Sequence, residues 1–422
     1  MIAVQTTMAC RESRATSSNR CELADIVRRY ADGYQRAHKL STAQYKALRA
    51  IRNCRTAALG GHREYCERCG YETYRYHSCR NRHCPKCQSQ QREAWVEARI
   101  DDLLPVPYFH QVFTIPHQLN PLILTGERNR RALLKLLFDA TAETLMSFGR
   151  HTFGGKVGFM LLLHTWDQQL RLHVHLHCLI ASGALVTAAD NPRWVAGGRK
   201  FLFPVHGLSK MFRAVFLRGL SALLSHDDLD LPPSLAWLDH ADYRRLSHWL
   251  PAPWVVYSKP PFAGPKKLLG YLSRYTHRVA ISNDRLLSCD DDHVRFTWRD
   301  RREGERVKEA RIPAQEFLTR FVHHVLPGRF QRIRHYGLIA NRGKNERLDQ
   351  CRRLLGVTRF SQTPRSSPKS STLADWLIDV LGVHPDRCPC CGGMLHRAVI
   401  DPQPGFPVSA ISVTPHTYWD TS

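Results

Sequence analysis

No stretch of this chain approaches the roughly 20 consecutive apolar residues that a bilayer-spanning helix needs, so no such helix is expected. Residues 1–20 are polar and lack the apolar segment of a secretory signal, so export is not expected either. Acidic residues are scarce. Asp and Glu number 37 against 61 Lys and Arg, which gives a formal net charge of +24. Such a balance calls for an acidic partner, and nucleic acid comes before a membrane surface. The setting for disulfides is also missing. The 14 cysteines fall largely into short clusters of a 422-residue chain without a signal, which favours zinc in a reducing compartment. A cytoplasmic protein of two or three domains, nucleoid-associated when bound to DNA, is the expectation.

What is present centres on Arg171-Leu-His-Val-His-Leu-His-Cys-Leu-Ile180. Val, Leu, Cys and Ile without Gly or Pro predict a β-strand. Alternate side chains of a strand share a face, so His173, His175 and His177 point one way and Val174, Leu176 and Cys178 the other. Neutral imidazole is a common ligand for divalent metals. The plainer alternative is a strand with solvent-facing histidines. Val157 to Trp166 predicts a buried strand that Asp167-Gln-Gln169 turns back into the histidine strand. His164 is expected as a core neighbour of the metal rather than a ligand.

Upstream lies Cys54-x7-His62-x3-Cys66-x2-Cys69-x9-Cys79-x3-His83-Cys84-x2-Cys87. Its C-x2-C-x14-C-x2-C core predicts one tetrahedral structural zinc on Cys66, Cys69, Cys84 and Cys87. Cys54, His62, Cys79 and His83 offer a second set, and spacing does not fix the partition. The segment interleaves arginines and tyrosines, including Arg80, Arg82 and Lys86, as cations for phosphates and faces for bases. A solvated basic surface is the plainer reading. Near the C-terminus Cys388-Pro-Cys-Cys391-Gly-Gly reads as half a zinc ribbon, with His384 and His396 as possible partners.

Further elements follow from local pattern. Residues 22–52 predict two helices, the second opened by a Ser41/Gln44 capping box. Strands are expected at 109–115, 201–205 and 254–257, a β-meander over 285–312, and helices at 89–104, 127–148, 209–224 and 315–325. Pro265 to Ala280 predicts an amphipathic helix on which Tyr271 and Tyr275, four apart, share a face beside Lys267, Arg274 and Arg278. Taken alone, tyrosines so spaced are usually packing residues. Arg329 to Arg347 is basic and includes Arg332 and Arg334, assigned to the DNA backbone. Residues 358–372 read as a linker.

His175-Leu-His177-Cys-Leu-Ile resembles the His-hydrophobe-His motif of HUH single-strand endonucleases, and the Tyr271-x3-Tyr275 helix resembles their two-tyrosine type. With Cys-Arg-Asn-Arg-His-Cys-Pro-Lys-Cys at 79–87 and Arg-Ile-Arg-His-Tyr-Gly-Leu-Ile-Ala-Asn at 332–341, the chain is similar to the IS91 family of rolling-circle insertion-sequence transposases over residues 25–345. The resemblance implies an α+β fold, a ferredoxin-like antiparallel HUH sheet with flanking helices behind a zinc-binding domain. It implies Mg²⁺ or Mn²⁺ on His175 and His177, with His173 at most a third ligand, and tyrosine nucleophiles at 271 and 275. It also implies single-stranded DNA at element ends and target as partner, with host replication proteins as possible helpers. The expected division is 1–53 helical, 54–104 zinc-binding, 105–345 nuclease, 346–373 linker and 374–422 a C-terminal segment. Rivals are a plasmid replication initiator or relaxase, a histidine-triad nucleotide hydrolase, since His-x-His-x-His fits that pattern, and a zinc-dependent DNA-binding regulator.

Overall fold

The structure, a computed structural model, describes residues 21–87, 95–96, 98–188, 191–259, 280–300, 303–357, 384 and 386–403. Two helices open it, α1 (Leu23–Ala37) and α2 (Thr42–Asn53). Leu23, Ile26, Val27, Tyr30 and Tyr34 recur at helical spacing and are all buried. The Ser41 hydroxyl accepts from the Gln44 N–H at 3.3 Å, while the Gln44 side chain accepts from the Ser41 N–H at 2.9 Å, which is the expected capping box. A hairpin follows, β1 (Gly61–Tyr65) and β2 (Glu72–Tyr76).

Next come β3 (Tyr108–Thr114), α3 (Asn120–Thr125), α4 (Glu127–Phe153), β4 (Gly158–Trp166), β5 (Leu172–Ala181), β6 (Gly183–Ala188), β7 (Asn191–Ala196), α5 (Val205–Ser225), α6 (Tyr243–Trp249) and β8 (Val256–Lys259). The meander β9 (Leu286–Asp290), β10 (His293–Asp300) and β11 (Arg306–Pro313) leads to α7 (Ala314–Val322). The described chain closes with β12 (Ile333–Gly337), α8 (Lys344–Leu354) and β13 (His396–Ile400).

The sheet that positions the histidines runs β12-β4-β5-β3-β8, antiparallel throughout, with the histidine strand β5 in its centre. One face buries Phe109, Phe113, Phe159, Leu161, Val174, Leu176 and Ile180 against Leu133, Leu137 and Phe138 of α4 and Phe212 and Phe216 of α5. Burying apolar area of this kind is worth roughly 25 cal/mol per Å², which holds β5 in register. A one-residue slip would exchange its imidazoles with its aliphatic side chains.

A second core joins α1 and α2 to the meander and α7, through Ile26, Leu48 and Ile51 against Leu286, Phe296, Phe317 and Phe321. The N-terminal helices, expected as a separate segment, therefore share a core with residues 280–325. Hydrogen bonds from the Leu23 N–H to Asn283 (3.1 Å) and from Gln44 to the Val322 carbonyl (3.2 Å) cross that junction.

Two expectations change. Residues 201–204 form no strand. Leu202 and Phe203 are buried, Phe203 against Phe148 and Phe153, and Pro204 stands at the start of α5. An apolar pair before a helix was filling a core. Conversely, the hairpin β6–β7 was not expected, because Gly183 and Pro192 interrupt its alternation. The basic stretch after Arg329 yields the edge strand β12 rather than an open surface. Tyr271, Tyr275 and the helix expected around them lie outside the described residues, as do the 358–372 linker and residues 89–94 and 97 of the helix expected at 89–104, of which residues 95–96 and 98–100 are helical.

Candidate functional site

The histidine face lies opposite the aliphatic core face of β5. His175 is 7% exposed and His177 8%, so these imidazoles are enclosed and not solvent-facing. In the antiparallel register His164 of β4 stands directly across from His175. Directly opposed residues bring their Cβ atoms to about 5 Å. A register shift between His164 and Trp166 produces this. Counting outward from the Trp166–Leu172 pair without the shift, His164 would oppose Val174 and turn into the core. The irregularity swings it to the histidine face.

The hydrogen bonds orient the rings. His175 Nδ1 lies 3.0 Å from the His173 carbonyl and donates to it, which leaves the lone pair on Nε2. His164 Nδ1 is 3.0 Å from that Nε2. Two lone pairs do not sit so close unless a proton or a cation lies between them. His177 Nδ1 meets His110 Nε2 at 2.9 Å, so β3 supplies a fourth imidazole behind the set. Burial holds the His164 imidazole well below its ordinary pKa, helped by His175, His177 and the Arg332 charge. Burial, then the Lys259 charge, pushes His110 down to about 4. Both are neutral at neutral pH, the form that binds metals.

One nitrogen from each of His164, His175 and His177 lies within 4.8 Å of the others, so these three side chains fit a divalent cation. His173 is exposed at the start of β5 and does not join them. His173 was expected as at most a third ligand, and the third imidazole within reach of His175 and His177 is that of His164. The signal is alternation within β4, which sets Leu162 opposite His177 and His164 opposite His175; counting back across the Asp167–Gln169 turn misses it.

The cysteines gather differently from the expected partition. Cys54, Cys79, Cys84 and Cys87 form one set, with Cys54–Cys87 and Cys79–Cys87 sulfurs 3.3 and 3.7 Å apart. Cys66 and Cys69 form another with Cys388 and Cys391. A tetrahedral zinc with Zn–S bonds of about 2.3 Å spaces its sulfurs about 3.8 Å apart, close to these values, whereas a disulfide needs about 2.05 Å. His62 and His83 enter neither set. His62 packs edge-on against His77, and His83 is buried near Arg82, Arg332 and His324. The β1–β2 hairpin is the physical cause, because it carries the Cys66/Cys69 turn away from the 79–87 loop, which folds back onto Cys54 at the end of α2.

Two family models match the chain. One, described as "Putative transposase", covers residues 158–347, and the other, "Transposase zinc-binding domain", covers 26–115. "Putative transposase y4qJ" of Sinorhizobium fredii is 42% identical over 409 residues, 95% of this chain and 98% of that protein. The chain is a transposase of the IS91 family. The transposase of insertion sequence element IS801 from Pseudomonas savastanoi pv. phaseolicola is 29% identical over 358 residues, 82% of each chain. No solved structure matches.

In this transposase the zinc-binding match and both sulfur sets fit structural zinc, and no helix among the described residues is long and apolar enough to cross a membrane. Beside the sheet edge, β12 and its flanks border a cleft of about 690 Å³. Arg82, Arg99, Arg329, Arg332 and Arg334 line it with Trp95, Phe330 and Tyr336. Guanidiniums interleaved with aromatic faces suit phosphates and stacked bases.

The residues expected to touch DNA divide. Arg80 is exposed. Lys86 pairs with Glu22. Arg82 donates to the Phe330 and Pro327 carbonyls at 2.8 and 3.2 Å, which ties the zinc module to the start of β12. Arg332 is buried, and burial followed by the Arg82 charge lowers its guanidinium to about 9. Arg334 lies over the Phe138 and Phe330 rings at 4.1 and 5.2 Å. Lys267, Arg274 and Arg278 lie outside the described residues.

Proposed function

We propose that this transposase cuts and rejoins single-stranded DNA at insertion-sequence ends through a 5′-phosphotyrosine intermediate, in rolling-circle transposition on an HUH-type sheet. The convergence of His164, His175 and His177 on the face of a central antiparallel strand carries the reading. The family, the +24 charge and the guanidinium-lined cleft support it.

Tyr271 or Tyr275 is the nucleophile. One phenol gives its proton to water and attacks phosphorus in line. The bond from phosphorus to the 3′ oxygen breaks, that oxygen takes up a proton, and the 5′ phosphate stays esterified to the tyrosine. A 3′-hydroxyl attacking this ester reverses the step, so strands rejoin without a nucleotide cofactor. Two phenols permit two successive transfers. Mg²⁺ or Mn²⁺ held by the three imidazoles would polarise a non-bridging phosphate oxygen and offset its charge. His173 and His110 orient the rings through their contacts to His175 and His177, and Arg332 adds positive charge beside His164.

The test is a denaturing gel of the full chain with Mn²⁺ and single-stranded oligonucleotides from element ends. A downstream fragment linked to the protein through its 5′ phosphate and an upstream fragment with a free 3′-hydroxyl are expected. Cleavage of duplex DNA alone, or linkage to the 3′ side, would overturn the reading.

A further inference from the structure

The sulfur set formed by Cys66, Cys69, Cys388 and Cys391 joins two distant parts of the chain: Cys66 and Cys69 lie within the zinc-binding match, and Cys388 and Cys391 lie far beyond its end at residue 115. Its two halves are the same small device. Each is Cys-x-x-Cys-Gly, Cys66 to Gly70 and Cys388 to Gly392. In each the glycine takes a positive φ, +72° and +69°, where a side chain would be strained. In each the glycine N–H donates to the first cysteine's carbonyl at 2.9 Å, Gly70 to Cys66 and Gly392 to Cys388. The first cysteine's own N–H is held too, by Tyr71 (2.9 Å) and Gly393 (2.7 Å). The turns face one another, with Cys66–Cys391 and Cys69–Cys388 sulfurs 3.6 and 3.5 Å apart. Cys66 and Cys388 are 2% and 3% exposed.

The backbone around them is built for the same junction. β13 adds to β1 as a third strand, with Gly61 opposite Ile400 and Tyr65 opposite His396. The nearly buried Glu64 carboxylate takes Arg75 from β2 at 2.6 Å and Arg397 from β13 at 3.1 Å, one acid shared by three strands. At Gly60 a Cβ would fall 2.6 Å from the Ile400 carbonyl, so the strands pack where only glycine fits. The Gln403 N–H donates to the Ala57 carbonyl at 3.0 Å. Residues 386–403 are too few to bury a core of their own, and a metal is the usual substitute.

We propose that Cys66, Cys69, Cys388 and Cys391 form a second zinc site, separate from the Cys54 set, that staples the C-terminal hairpin of residues 386–403 onto the β1–β2 hairpin. The transposase thus holds two zinc ions per chain, and its C-terminal segment is part of the zinc module. Four thiolates at tetrahedral spacing select zinc over magnesium or manganese. This assignment does not depend on the nuclease reading, since the zinc count is measured without DNA.

Metal analysis of the purified full chain should give two zinc per chain, falling to one in Cys388→Ser/Cys391→Ser. Limited trypsin digestion should then release the 386–403 segment from the variant and spare it in the parent. Because a variant can misfold, native alkylation of the unaltered protein with peptide mapping supplies a second readout. Cys66, Cys69, Cys388 and Cys391 should be protected together and become reactive together as a chelator is titrated in. Two zinc ions retained in the variant, or Cys388 and Cys391 alkylated while Cys66 and Cys69 stay protected, would overturn the proposal.

Discussion

Replacing His175 and His177 together by alanine should reduce single-strand cleavage at least about a thousandfold, with folding retained. The size follows from the cation. Lewis-acid stabilisation of a phosphoryl transition state is worth several kcal/mol, and each 1.36 kcal/mol is tenfold in rate. His164→Ala should cost a further graded amount, about 10- to 100-fold or more in Mn²⁺ affinity, because it completes the set opposite His175. His173→Ala should stay within a few fold of the parent, since its ring is exposed and the contact it gives His175 comes from its backbone carbonyl. Oligonucleotide cleavage and Mn²⁺ titration of the four proteins decide the matter. A His173→Ala loss as large as that of His164→Ala would mean the ligand set is the three on β5.

Cys54→Ser combined with Cys84→Ser should have the largest effect on stability. These sulfurs are 2% exposed and belong to the core that joins α1 and α2 to the meander. Binding of a structural zinc is worth roughly 10–16 kcal/mol in small zinc domains, against a total stability of about 5–15 kcal/mol for a typical domain. The variant is therefore expected to be insoluble, or to lose its cooperative thermal transition along with one zinc ion. A soluble variant with an unchanged melting temperature would show that this set is not a metal site. The Cys388/Cys391 variant should be milder, because its set anchors a three-stranded sheet at the molecule's margin and not the shared core.

The legible parts of this transposase were those written in local pattern. Alternation placed His175 and His177 on one face of β5, the Ser41/Gln44 box marked the start of α2, and the C-x-x-C pairs marked zinc turns. What escaped was non-local. Fourteen residues separate Cys69 from Cys84, so spacing alone joined Cys66 and Cys69 to Cys84 and Cys87. In the fold Cys69 meets Cys388, 319 residues away. Nothing in linear spacing carries that, although the repeated Cys-x-x-Cys-Gly pattern hinted at equivalent halves. His164 escaped because one register irregularity decides which face it occupies. Arg332 read as a surface cation and is buried, since edge strand β12 brings it against Trp166 under the cleft. The Tyr271 and Tyr275 assignment rests on motif and family alone.

The most direct measurement is to trap the covalent complex with an element-end oligonucleotide, digest it and locate the DNA-bearing peptide by mass spectrometry. The account predicts a 5′-phosphate on Tyr271 or Tyr275, and no adduct when both are changed to phenylalanine. A nucleotide found on another residue, or adduct persisting in the double variant, would contradict it.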